Sequence, residues 1–177
     1  TIGDVIDCIE SGWILGEKPT IEKNGYEYIE CIMCHTLFDY RILNFTDGSK
    51  YLIYTLNSDG ESYTVTGIDP CDDTEICIPE LYNGKPVTGI SVFAFDSATN
   101  IQTVYIPATV THIDHFAFTD CENLTRIEFY STMTNSDGSK INTMAQWKSI
   151  TKGMEWKFNT GDFKVYCVDG VIPKSES

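Results

Sequence analysis

VYIPATVTHIDHFAFTDCENLTRIEF, residues 104–129, decides the fold because it repeats the stretch before it. Shifting 87–106 by 23 residues onto 110–129 gives seven identities: Val87/Val110, Thr88/Thr111, Ile90/Ile113, Phe93/Phe116, Ala94/Ala117, Phe95/Phe118 and Asn100/Asn123. Ile101/Leu124, Val104/Ile127 and Ile106/Phe129 stay apolar. A fixed period of this length is the mark of a repeat stack, in which each unit buries its apolar face only against a neighbour. The fold class is therefore mainly β, a short solenoid with coils of about 23 residues.

Working outward, TEICIP at 74–79 aligns with the QTVYIP segment at 102–107 once an insertion near ELYNGK, 80–85, is allowed. Each unit opens on a short x-I-x-I-P strand whose proline stops the ladder. A second extended piece, V-T-x-I, follows, and then F-A-F, a polar turn and Asn. Upstream, residues 46–69 place Asp59-Gly60 between two β-rich runs, 51–56 and 62–68, which predicts a hairpin at the N-terminal end of the repeats. Downstream, 130–177 breaks the period. MAQWKSITKG predicts a short helix with Gly153 as its C-terminal glycine, and the end of the chain predicts a hairpin about Asn159–Asp162. Trp147 and Trp156 are expected to lie over the last repeat.

Residues 1–45 read as a separate small β-rich module. Asn24-Gly25 signals a turn, and alternation from Tyr26 to Ile42 predicts a ribbon turning at Cys31–His35. The expected organisation is thus 1–45, then a repeat domain at 46–177 made of 46–69, the repeats at 70–129 and the terminal segment 130–177.

The chain has 177 residues, a net charge of −14 and a pI near 4.4. So acidic a surface repels phosphate backbones and anionic lipid heads, which excludes nucleic acid as the expected partner and a basic membrane anchor. No apolar run reaches the ~18 residues of a membrane span. No secretory leader is visible from Thr1, which fits a mature or trimmed form. Seven scattered cysteines, an odd number, do not suggest a disulfide framework.

At this point the motif I-P-x-x-V-T-x-I-x-x-x-A-F-x-x-C-x-N-L-x-x-I resembles the BspA-like leucine-rich repeats of bacterial and some protist surfaces. YTLNSDGESYTVTGIDPCDDTEICIPELYNGKPVTGI resembles the entry segment of that family, and AQWKSITKGMEWKFNTGDFKVYCVDG its exit segment. Residues 13–43 resemble a small cysteine-containing module found beside such repeats, through Pro19-Thr20, Gly25, Tyr28, Cys31 and Cys34, with Ile21 where a cysteine is usual. The resemblance implies a non-enzymatic module on the cell surface or outside the cell, with an adhesive or host-interaction role. Its expected partner is a protein or glycan on a host or neighbouring cell.

The residues themselves offer few chemical sites. Cys31 and Cys34, with Cys8 and His35, are the candidate zinc ligands, but His35 adjoins Cys34 and the plainer reading is two cysteines in a β-turn. His112 and His115 have Gly89 and Val92 as repeat counterparts, so they read as variable turn positions. The two NSDG copies, 57–60 and 135–138, lack the acids of a calcium loop and read as turns. No catalytic motif occurs, and no cofactor is expected. In the strands, the period of two turns Glu75, Cys77, Thr103, Tyr105, Arg126 and Glu128 outward. These are the candidate ligand-binding residues. The alternative is that the repeats are a passive spacer and the N-terminal module a metal-stabilised binding head.

Overall fold

The computed structural model describes residues 48–177, together with the backbone of three strands before them. The chain divides into two compact units, Thr1–Asp47 and Gly48–Ser177. In the first, β1 (Ile14–Glu17), β2 (Gly25–Glu30) and β3 (Leu37–Leu43) form an antiparallel sheet in that order. The ribbon expected there has its strand pair in β2 and β3, with Tyr28 opposite Tyr40. Cys8, Cys31, Cys34 and His35 lie outside the described residues.

The second unit is mostly β with one short α-helix. β4 (Leu52–Leu56) and β5 (Tyr63–Ile68) pair antiparallel. Their turn is built by polar side chains. Asp59 Oδ1 accepts from the backbone of Glu61 at 2.8 Å and of Ser62 at 3.2 Å, and Gly60 has φ of 70°. Such Asx contacts substitute for backbone partners in a tight turn. They also hold the Asp59 carboxyl below its usual range.

From β6 (Glu75–Cys77) the chain circulates between two sheets. The ELYNGK insertion is a hairpin of β7 (Leu81–Tyr82) and the start of β8 (Lys85–Ile90), turning at Asn83 and Gly84, both at positive φ. β9 (Thr103–Pro107), β10 (His112–Ile113) and β11 (Arg126–Tyr130) complete the next circuit. The single α-helix, α1 (Met144–Ser149), follows, and then β12 (Thr151–Lys152), β13 (Lys164–Cys167) and β14 (Gly170–Pro173).

The result is two sheets. One runs β12-β10-β8-β5-β4, with β7 attached to β8; the other runs β14-β13-β11-β9-β6. Neighbouring coils pair parallel: Ile76, Val104, Ile127 and Val165 stand in one ladder row. All four are fully buried, as are Ile78, Ile106 and Phe129 in the next inward row. Apart from β7, which forms its own hairpin with β8, the strands of this unit that run antiparallel to their neighbours are β4 and β14, at opposite ends of the two sheets.

The turns that close each coil stack as well. Phe95 N–H donates to Ala117 O at 2.8 Å, and Phe118 N–H to Trp156 O at 2.9 Å. Phe95 and Phe118 lie ring on ring, 4.8 Å apart and within 2° of parallel, and Phe118 meets Trp156 edge-on at 6.0 Å. The repeated asparagine has a clear task. Asn100 Nδ2 reaches Cys71 O and Asn123 Nδ2 reaches Thr99 O, each satisfying a carbonyl of the preceding coil.

Three expectations need correcting. Residues 150–167 do not leave the repeat: they form a third coil, in which Thr151 pairs with His112, 39 positions earlier, rather than 23. The extra length is the excursion 131–149, which carries α1. Gly153 does not end the helix, whose C-cap is Ile150 in extended conformation. Gly153 is needed for close approach, since a Cβ there would stand 2.3 Å from His115 N. The terminal hairpin turns at Val168-Asp169, between β13 and β14, and not at Asn159–Asp162. The latter stretch closes the third coil, with Asn159 at φ of 50° matching Ser97 and Asp120.

Candidate functional site

The outer face of the five-stranded sheet gathers the outward residues named above. Strand register places Glu75, Thr103, Arg126 and Lys164 in one row, and Cys77, Tyr105, Glu128 and Tyr166 in the next. β14 adds Pro173 and Val171 at the far end of the same two rows.

Arg126 is the centre of this face. Its Nε donates to Glu128 Oε1 at 2.5 Å, and its Nη2 contacts the same oxygen. The guanidinium also lies over the Tyr166 ring, 3.6 Å from the centroid. Glu128 thus fixes the guanidinium on the flat of the ring, and the stacked geometry suits a planar cation. Tyr105 stands on the other side of Glu128. Partial burial, and then the carboxylates of Glu75 and Glu128, hold its hydroxyl above the usual phenol range. It stays a neutral donor and acceptor at neutral pH.

Two of the six expected residues are not available to a ligand. Cys77 is 6% exposed and Thr103 8%. Cys77 is covered because the segment entering the unit runs beside β6: Ser49 N–H donates to Cys77 O at 2.8 Å, and Cys77 N–H to Ser49 Oγ at 2.9 Å. Thr103 is a short side chain between the longer Glu75 and Arg126 in its row. Tyr166 and Lys164 are the residues sequence reasoning missed. The signal was present in the alternation of Phe163, Val165 and Cys167, which would have turned Lys164 and Tyr166 outward had the third coil been recognised.

The histidines are not drawn together into a site. His112 packs over Gly89, where a Cβ would stand 2.1 Å from its Nε2, and its Nδ1 lies 3.4 Å from Thr111 Oγ1. His115 is exposed on the turn. Among the described residues, no group of three or more His, Cys, Asp or Glu could hold a metal ion. A cleft of about 400 Å³ lies between the β5–β6 connection and the first turn, lined by Ile68, Asp69, Cys71, Asp72, Asp96 and Ala98 among others. Among the described residues the one buried carboxylate, Glu80, is occupied by Ser131 Oγ at 2.7 Å, Thr132 N–H at 3.0 Å and the Thr132 hydroxyl. It serves to tie the excursion after β11 to the strand ends. Cys121 donates to Phe95 O at 3.0 Å, and burial pushes its thiol up to about 12, so it is no nucleophile.

Parallel coils, stacked phenylalanines and asparagines bonded to the coil before are the features that recur along the second unit. Residues 75–157 match the model of the BspA type leucine rich repeat region, in six copies. No curated protein matches the chain.

Solved structures similar to it include a leucine rich repeat protein of T. pallidum (25% identity, 46% of this chain and 41% of that one, TM-score 0.43). A leucine rich cell surface protein of Faecalibacterium prausnitzii matches with 24% identity over 63% of this chain and 28% of that one, TM-score 0.44. A leucine-rich repeat protein of Bacteroides ovatus matches with 20% identity over 66% and 33%, TM-score 0.45. The match spans less than half the length of each of these chains.

Proposed function

We propose that residues 48–177 form a short solenoid, ended by the β4–β5 hairpin on one side and by α1 and the β13–β14 hairpin on the other. In this reading it works without catalysis, outside the cell or on its surface, as a binding module for a protein or glycan. The binding face is the outer side of the five-stranded sheet. The observation that carries the reading is the group Tyr105, Glu128, Arg126 and Tyr166. It sets two aromatic side chains two strands apart, about 10 Å, around a fixed ion pair. Tyrosine and arginine are the side chains most often found at the centre of recognition surfaces, since each offers a flat contact and a hydrogen-bonding tip.

The size of the face sets the strength. Five strands at ~4.8 Å spacing span ~20 Å, and a patch of that width and one strand's length offers a few hundred Å², below the ~800 Å² per partner of a standard interface. Binding by one copy is therefore weak, and useful capture depends on several copies or on a longer surface in the parent protein. The test is capture of host-surface and matrix proteins and of arrayed glycans by the intact chain. Tyr105→Ala, Arg126→Ala and Tyr166→Ala together abolish capture and leave the melting temperature within a few degrees of the parent. Capture retained by the triple variant rules out this face.

A further inference from the structure

The third side of each coil, where the chain turns from the six-stranded sheet back to the other, carries an apolar ridge that the fold does not explain. In the motif F-A-F the second phenylalanine is buried, but the first is not. Phe93 is 53% exposed, and Phe93 and Phe116 stack on each other at 5.5 Å with their rings within 10° of parallel. Both adopt left-handed backbone conformations, φ of 57° and 55°. That region is strained for a bulky side chain and is better filled by Asn, Asp or Gly. The third coil makes the same turn with Glu155, φ 53°, at the matching position. The turn therefore does not require an aromatic residue, yet two of the three coils place one there in a strained conformation, Phe93 exposed and Phe116 half-buried beside it. Val92, 46% exposed, and Met154, 76% exposed, extend the ridge on either side.

The charge around the ridge is one-sided. Between Ser91 and Asn123 the chain has four acids (Asp96, Asp114, Asp120 and Glu122) and no lysine or arginine. The lysines of the third coil are turned away. Lys152 Nζ bonds Trp147 O at 2.8 Å and Ile150 O at 3.3 Å, and Lys157 Nζ bonds Ser177 O at 2.9 Å.

We propose that the ridge of Val92, Phe93, Phe116 and Met154 docks a basic segment of a partner protein, one alternating Arg or Lys with apolar side chains. The phenylalanine faces accept guanidinium groups, and the apolar residues between them cover the ring edges. The surrounding carboxylates steer a cationic partner in and repel acidic ones, among them a second copy of this chain with its net charge of −14.

The probe is a short synthetic peptide alternating Arg and Leu, titrated against the intact chain. Binding is expected, weakening as salt is raised. It should fall about tenfold or more in Phe93→Asn/Phe116→Asn, because losing two cation–aromatic contacts is worth at least one decade in Kd. Asn suits the left-handed region, so the double variant keeps its melting temperature or gains a little; the single Phe93→Asn gives an intermediate affinity. Four results would each overturn the proposal. The peptide fails to bind; the double variant binds it as well as the parent; an Arg–Gly peptide binds as tightly as the Arg–Leu one; or the parent dimerises through the ridge and the double variant does not. A fall of many degrees in the melting temperature of the double variant would assign the phenylalanines to folding and equally sink the idea.

Discussion

Replacing Phe118 by alanine separates the coupling between coils from the burial of any one of them. Phe118 is fully buried and sits between Phe95 at 4.8 Å and Trp156 at 6.0 Å, so its removal empties the contact on both sides of the second coil at once. A buried Phe→Ala change costs ~3–5 kcal/mol, and a site bounded by rigid rings and parallel ladders relaxes little, which points to the upper half of that range. Against ~5–15 kcal/mol for a domain of this size, that is about a quarter or more of the total. The melting temperature should fall by ~10–20 °C. Urea and thermal unfolding followed by far-ultraviolet circular dichroism measure it. The control is Phe116→Asn, two residues away in the same motif, which should change stability by no more than ~0.5 kcal/mol. A loss below ~1 kcal/mol for Phe118→Ala, or an equal loss in the two variants, would refute the idea that stacked buried rings bind coil to coil.

Two further outcomes follow from single contacts. Gly153→Ala drives a Cβ into the backbone of Asp114 and His115 and should destabilise by ~1–3 kcal/mol, read from the same urea curves. Lys152 is held down to about 8, chiefly by burial and then by Lys157, against about 10.5 when unfolded. Between those values the unfolded chain holds the proton and the folded one does not, so this residue adds stability as pH rises from 8 to 10.5. Lys152→Met should remove that increment, and the difference in melting temperature between parent and variant should grow in the parent's favour across this window; parallel curves would refute it.

The inward rows of the five-stranded sheet were legible because the period of two and the period of 23 agree from Val87 to Phe129, and Ile76 and Ile78 join the same rows once the insertion at 80–85 is allowed. The insertion at 80–85 was legible because Pro79 and Pro107 lie 28 apart rather than 23. The third coil was hidden for two physical reasons. The excursion 131–149 moves it out of phase. Its turn also fills the interior differently: Trp156 stands where Ala94 and Ala117 stood, and its ring packs on Phe118 in place of a third stacked phenylalanine. A volume-conserving exchange between positions keeps the core and erases the identity. With the coil unseen, Tyr166 could not be placed beneath Arg126, and the ion pair on the candidate face read as two separate charges. The burial of Cys77 depends on Ser49 crossing beside β6, a tertiary contact with no local pattern to announce it.

The two antiparallel strands at opposite ends have a bearing on how such a chain could change its length. β4 and β14 each break the parallel order, so a further coil added beyond either would meet a partner running the wrong way. Between β8–β9 and β10–β11, by contrast, the hydrogen-bonding edges, the asparagine and the stacked ring recur in the same places. A duplicated copy of 87–109 inserted there would find its acceptors and its stacking surface already in position. Descendants of this sequence would lengthen from the middle, in steps of about 4.8 Å, while both extremities stay unaltered.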